Sequence, residues 1–165
     1  MSAHKYPLEQ LERIKKRRLE EAERILKEKK EILSAETTNL KKIESDRDKT
    51  LNHKKNKLDQ FREKIDQGTT TDKIEIMRQY LKTVDEELLI KEQKVKDQEK
   101  KVEAAKKAAD EARADMLKKQ QDVEKLNIHK SEWKKEIYNI EVQKEGIEND
   151  DLGTAMHTSK KFKRS

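Results

Sequence analysis

The sequence predicts an all-α protein, a long antiparallel two-helix coiled-coil hairpin, and three observations carry that prediction. Of its 165 residues, 46% are charged and only 31% are hydrophobic. That is too few apolar groups for a compact core, and it is a composition typical of long helices. The apolar residues recur with a coiled-coil period over most of the chain. There are three Gly and one Pro, and one interior break, Asp66-Gln67-Gly68-Thr69-Thr70-Thr71-Asp72. Disorder also suits high charge and few aromatics, and the sustained period argues against it.

After a lead of residues 1–6, helix one is expected over 7–67. Pro7 fits its first turn, where a missing N–H costs nothing, and Glu9 and Glu12 complement the positive end of the dipole. Its apolar seam is read from Leu8, Leu11, Ala22, Ile25, Leu26, Ile32, Leu33, Leu40, Ile43, Leu51, Leu58, Phe61 and Ile65. Polar residues such as Lys29, Glu36 and Lys54 interrupt it.

The loop is expected at 68–71. Gly68 suits the left-handed position that ends a helix, and Asp72 with Glu75 resembles a capping box that starts the next. So short a connection makes the two helices antiparallel neighbours.

Helix two, expected over 72–149, holds the strongest signal. Alternating steps of three and four residues from Ile74 to Ile147 visit 22 positions, of which 17 are apolar, a seam of about ten heptads. Folding at the loop pairs residues whose numbers add to about 138. Phe61 then faces Met77, Ile43 faces Val95, Leu33 faces Ala105, Leu26 faces Ala112 and Ala22 faces Met116. A rise of 1.5 Å per residue implies a rod of roughly 90 Å along helix one and roughly 110 Å along helix two. Trp133 falls opposite Lys5, so Ile137, Tyr138, Ile140, Val142 and Ile147 lack a counterpart in the hairpin. Asn149-Asp150-Asp151 and Gly153 end the pattern, leaving 150–165 as a flexible basic tail.

Several chemistries find no support. With no Cys, disulfides and thiolate sites are excluded. The glycines are too dispersed for a phosphate-cradling loop, and the four histidines have no metal-ligand spacing, so no metal or cofactor is expected. A two-helix rod has no desolvated pocket to tune a carboxylate, so catalysis is not expected. No apolar run approaches a membrane span, and the N-terminus has no apolar leader. The chain reads as soluble and cytoplasmic.

Candidate contact residues lie at the two ends. Arg13, Lys15, Lys16, Arg17 and Arg18 form the densest basic run, which reads as a protein contact, a phosphate contact or a solvated face. Glu9, Glu12, Glu20, Glu21 and Glu23 flank it and no aromatics interleave for base stacking, so nucleic acid is the weaker reading. Trp133 reads as packing near Tyr6 and Leu8, or with Ile137, Tyr138 and Ile140 as an interface anchor. Near the loop, Phe61, Met77, Arg78 and Tyr80 are the candidate contact residues of the tip; Phe61 and Met77 also read as core, and Tyr80 with Arg78 as the more exposed contact. A nucleic-acid-binding arm and a homodimeric scaffold stand as alternatives.

Tyr6-Pro7-Leu8-Glu9, Ile14-Lys15-Lys16, Ala22-Glu23, Lys27-Glu28-Lys29-Lys30, Gly68-Thr69-Thr70 and His129-Lys130-Ser131-Glu132-Trp133, in this order around one loop, resemble the YscO/SctO group of type III secretion proteins. The likeness is to a chlamydial member of the group, with the flagellar FliJ proteins as more distant relatives. The resemblance covers residues 6–136. It implies a central stalk without catalytic residues, similar in shape to the coiled coil of a rotary ATP synthase γ subunit and peripheral to the inner-membrane secretion apparatus. It further implies that the end with both termini enters a hexameric secretion ATPase, that the loop end reaches the export-gate protein, and that some members bind secretion chaperones. No nucleic acid and no membrane insertion are implied.

Overall fold

The computed structural model describes residues 4–163. It is a helical hairpin of α1, Glu9–Asp66, and α2, Thr71–Lys163. Among the described residues there is no strand, and no helix is long and apolar enough to cross a membrane.

The N-terminal turn places Pro7 before α1, with the Glu9 N–H donating to the Tyr6 carbonyl at 3.2 Å. Glu9 and Glu12 occupy the first turn of the helix, where carboxylates oppose the dipole favourably. At the other end of α1, Gly68 adopts φ 93° and its N–H donates to the Ile65 carbonyl at 3.1 Å. This is the left-handed termination expected from the sequence.

The start of α2 differs from expectation. Its cap is Thr70, whose hydroxyl accepts the Lys73 N–H at 3.4 Å and whose carbonyl accepts the Ile74 N–H at 3.1 Å. Asp72 lies inside the first turn instead. A threonine three residues before the last free amide of the first turn satisfies it as an N-cap should, and Asp72, two residues further in, still opposes the dipole.

The seam of α2 follows the predicted positions closely. Every step from Ile74 to Ile137 is buried or half-buried, while Ile140, Lys144 and Ile147 are exposed. On α1 the buried line runs through Leu8, Glu12, Lys15, Leu19, Ala22, Leu26, Lys29 and Leu33, and onward with the same period to Phe61. Leu11, Ile25, Ile32 and Ile65, read from the sequence as seam residues, are exposed beside that line. The apolar pattern of α1 is thus two adjacent stripes, and only one of them faces α2.

The second departure is at the end of α2, which continues to Lys163 rather than stopping near 149. Gly153 has an ordinary helical φ, and one glycine costs a helix only about 1 kcal/mol. Asn149, Asp150 and Asp151 remove no backbone donor, and Lys160, Lys161 and Lys163 stand in the last turn, where cations favour a helix terminus. Residues 1–3 of the expected lead and 164–165 of the expected tail lie outside the described residues.

Contacts group the chain into two compact units, Glu23–Asp115 and a second made of the residues up to Ala22 with those from Met116 onward.

Candidate functional site

Within the unit that carries the termini, a polar and aromatic clasp holds the start of the chain on α2. Tyr6 is 6% exposed; its hydroxyl lies 2.6 Å from His129 Nδ1 and its ring meets Trp133 edge-on at 5.4 Å. One turn on, the Glu12 carboxylate, also 6% exposed, accepts from Lys16 at 2.8 Å and from Lys130 at 3.1 Å. Those two hydrogen bonds, Lys16 first, hold its carboxyl below the usual carboxylate range against the opposing effect of burial. Lys130 also lies 5.8 Å from the centre of the Tyr6 ring. Trp133 is therefore half-buried packing for Tyr6, the plainer of its two readings.

This geometry divides the basic run. Arg13 pairs with Glu9 at 3.4 Å, Lys16 is spent on Glu12, and Lys15 lies in the seam with Asp122 at 3.5 Å. Arg17 and Arg18 are exposed and carry no ion pair among the described residues. On α2, Ile137 is half-buried, and every described residue from Tyr138 onward is exposed. Tyr138, Ile140, Val142, Ile147, Leu152, Met156 and Phe162 are the large apolar side chains among them. A shallow depression of about 390 Å³ lies on α2 between Lys134, Lys135 and Tyr138.

In the unit that contains the loop, polar seam residues meet one another. The Lys91 ammonium contacts the Thr50 hydroxyl at 2.7 Å, Asp46 at 3.4 Å and Glu87 at 3.2 Å. Burial acts to lower its pKa, but the Glu87 and Asp46 carboxylates outweigh that and raise it. Gln98, 3% exposed, donates to the Glu36 carbonyl at 3.0 Å and to the Glu36 carboxylate, and Lys54 pairs with Asp85. These pairs fall around the register expected from the sequence.

At the loop end of this unit the four predicted contact residues separate. Met77 is buried and Phe61 half-buried. Tyr80 is tied to α1: its hydroxyl lies 2.6 Å from His53 Nε2, its ring meets Phe61 edge-on at 6.0 Å, and Lys57 sits 5.9 Å from its centre. Arg78 is exposed and points at no partner among the described residues. Phe61, Met77 and Tyr80 line a groove of about 520 Å³, joined by Ile76, Lys57, Lys64 and Lys73. Sequence reasoning missed these last four. Ile76 falls off the seam, and a lysine in so charged a chain carries no signal until its neighbours in space are known.

Among the described residues no group of acidic or histidine side chains is placed to hold a metal ion. A family model described as YscO-like protein matches residues 3–163. The solved structure of CT670 from Chlamydia trachomatis, a proposed YscO homolog, superposes with a TM-score of 0.88 at 40% sequence identity, covering 96% of this chain and 98% of that one. No curated protein matches the sequence.

Proposed function

This chain belongs to the YscO-like family of type III secretion proteins, and from that premise we propose that it is a non-enzymatic central stalk that couples the hexameric secretion ATPase to the export gate. The carrying observation is the exposed apolar length of α2 beyond Ile137, in the same unit as Arg17 and Arg18, which carry no ion pair among the described residues. A helix that keeps large apolar side chains in water gains free energy when a partner covers them. That end is assigned to the ATPase and the loop end to the export-gate protein, with secretion chaperones as further partners. The chain works beside the inner membrane without entering it.

Ile137 is half-buried, so substituting it would disturb the hairpin as well as the contact. Tyr138→Asp with Ile140→Asp, both at exposed positions, avoids that. Adding the wild-type chain to its cognate ATPase is expected to promote hexamer formation and raise turnover. The double variant is expected to lose at least about fivefold of that stimulation, roughly 1 kcal/mol of contact energy, with unchanged helicity. An equal response to variant and wild type would sink the assignment of this end.

A further inference from the structure

The groove at the loop end has a chemistry of its own. Between Lys57 and Tyr80 the sequence holds five basic and five acidic residues, so this stretch carries no net charge. The charges are nonetheless segregated: three lysines line the groove and no carboxylate does. Lys64, in the last turn of α1, and Lys73, in the first turn of α2, have no side-chain partner among the described residues. The clusters around Glu12, Lys91 and Lys54 instead pair their lysines with Asp or Glu. Between these cations the floor is apolar, with Met77 buried and Ile76 standing 68% exposed.

We infer that this groove receives an acidic segment of a protein partner that inserts one aromatic or branched aliphatic side chain between flanking carboxylates. The anchor covers Ile76 and Phe61, and the carboxylates meet Lys64 and Lys73. A volume of about 520 Å³ holds a few side chains and not a packed helix pair. Single-stranded nucleic acid fits less well. It needs an open aromatic face for stacking, whereas Tyr80 has Lys57 over its ring and Phe61 and His53 at its edges. The inference rests on the reading that the loop end is a partner-binding end, and it names the chemistry of what binds there.

The test uses the full chain and a fluorescein-labelled peptide of about twelve residues, aspartates and glutamates around one central phenylalanine. Anisotropy is expected to report saturable binding that weakens with salt. Lys64→Glu with Lys73→Glu is expected to weaken it at least tenfold, and Ile76→Ser severalfold, while circular dichroism stays unchanged. Binding is expected to be lost when lysines replace the peptide's carboxylates. Unaltered affinity in the charge-reversed chain, or tighter binding of a labelled oligothymidylate of equal charge, overturns the inference. A parallel titration with the soluble part of the export-gate protein separates this inference from the reading beneath it. If the gate protein binds wild type and charge-reversed chains equally, the groove inference fails and the export-gate assignment stands. If the gate protein does not bind at all, while the peptide binds and is lost on charge reversal, the groove stands and the export-gate assignment fails.

Discussion

Glu12 shows how a residue that breaks an apolar pattern can still belong to a packed interface. Its carboxylate occupies a seam position on α1 and is satisfied by Lys16 and by Lys130 of α2. Removing the buried carboxylate's charge forfeits two charge-assisted hydrogen bonds to lysines that are themselves partly exposed. Glu12→Gln is therefore expected to cost about 1–2 kcal/mol at neutral pH, read from urea unfolding. The carboxyl has a lower pKa folded than unfolded, so its contribution is complete above the unfolded pKa and is lost as pH falls through the folded value. Wild type and variant are accordingly expected to converge in stability once the pH has fallen below the folded pKa of Glu12. A gap that persisted there would show that charge is not what Glu12 contributes. In the other unit, Gln98→Ala is expected to cost about 1–3 kcal/mol, because it strips the donor from a half-buried Glu36. Replacing Glu36 and Gln98 together by Leu is expected to be neutral or stabilising while register becomes less sharply defined. Spin labels at positions 33 and 105 would report that loss as a broadened distance distribution.

Two glycines have opposite geometry: Gly68 ends α1, whereas Gly153 lies within α2. Gly68 sits at φ 93°, where a Cβ is strained whatever space surrounds it. Gly68→Ala is expected to lower stability by about 1 kcal/mol, measured by thermal unfolding. At Gly153 a Cβ would meet nothing within 4 Å and the backbone is helical. Gly153→Ala is expected to stabilise the end of α2 by about 0.5–1 kcal/mol, read as slower amide exchange between residues 150 and 160. Faster exchange in that variant would contradict a continuous helix to Lys163. Both elements were legible in the sequence as helices. The end of α2 was misplaced because Asn, Asp and Gly are breakers only when some other contact favours a turn, and here none does.

For the molecule as a whole, the exposed apolar length of α2 sets the question of oligomeric state. If that surface serves a different protein, the purified chain is expected to scatter light as a single copy of 19.6 kDa. A homodimeric scaffold would instead cover the stripe with a second copy and double the mass. The net charge of +6 favours solubility of the single copy and identifies no partner. The groove and the exposed helix involve separate sets of residues. Substitutions in one are expected to leave binding at the other unaltered, a double dissociation that the peptide and ATPase assays read independently.

Periodicity alone determined that the chain is two helices, where α2 presents its seam, where Gly68 turns the chain back, and which residue numbers lie opposite one another. Each of these follows from the local geometry of a helix and from the shortness of one loop. The choice between the two apolar stripes of α1 was a tertiary decision. The line through Glu12, Leu26 and Leu33 wins over Leu11, Ile25 and Ile32 because its polar members find partners on α2: Glu12 at Lys130, Glu36 at Gln98, Thr50 at Lys91. Only in three dimensions do scattered lysines become a groove without a carboxylate, or the hydroxyl of Tyr6 meet His129. Both depend on side chains far apart in sequence sharing one place, and the spacing within either helix carries no record of that.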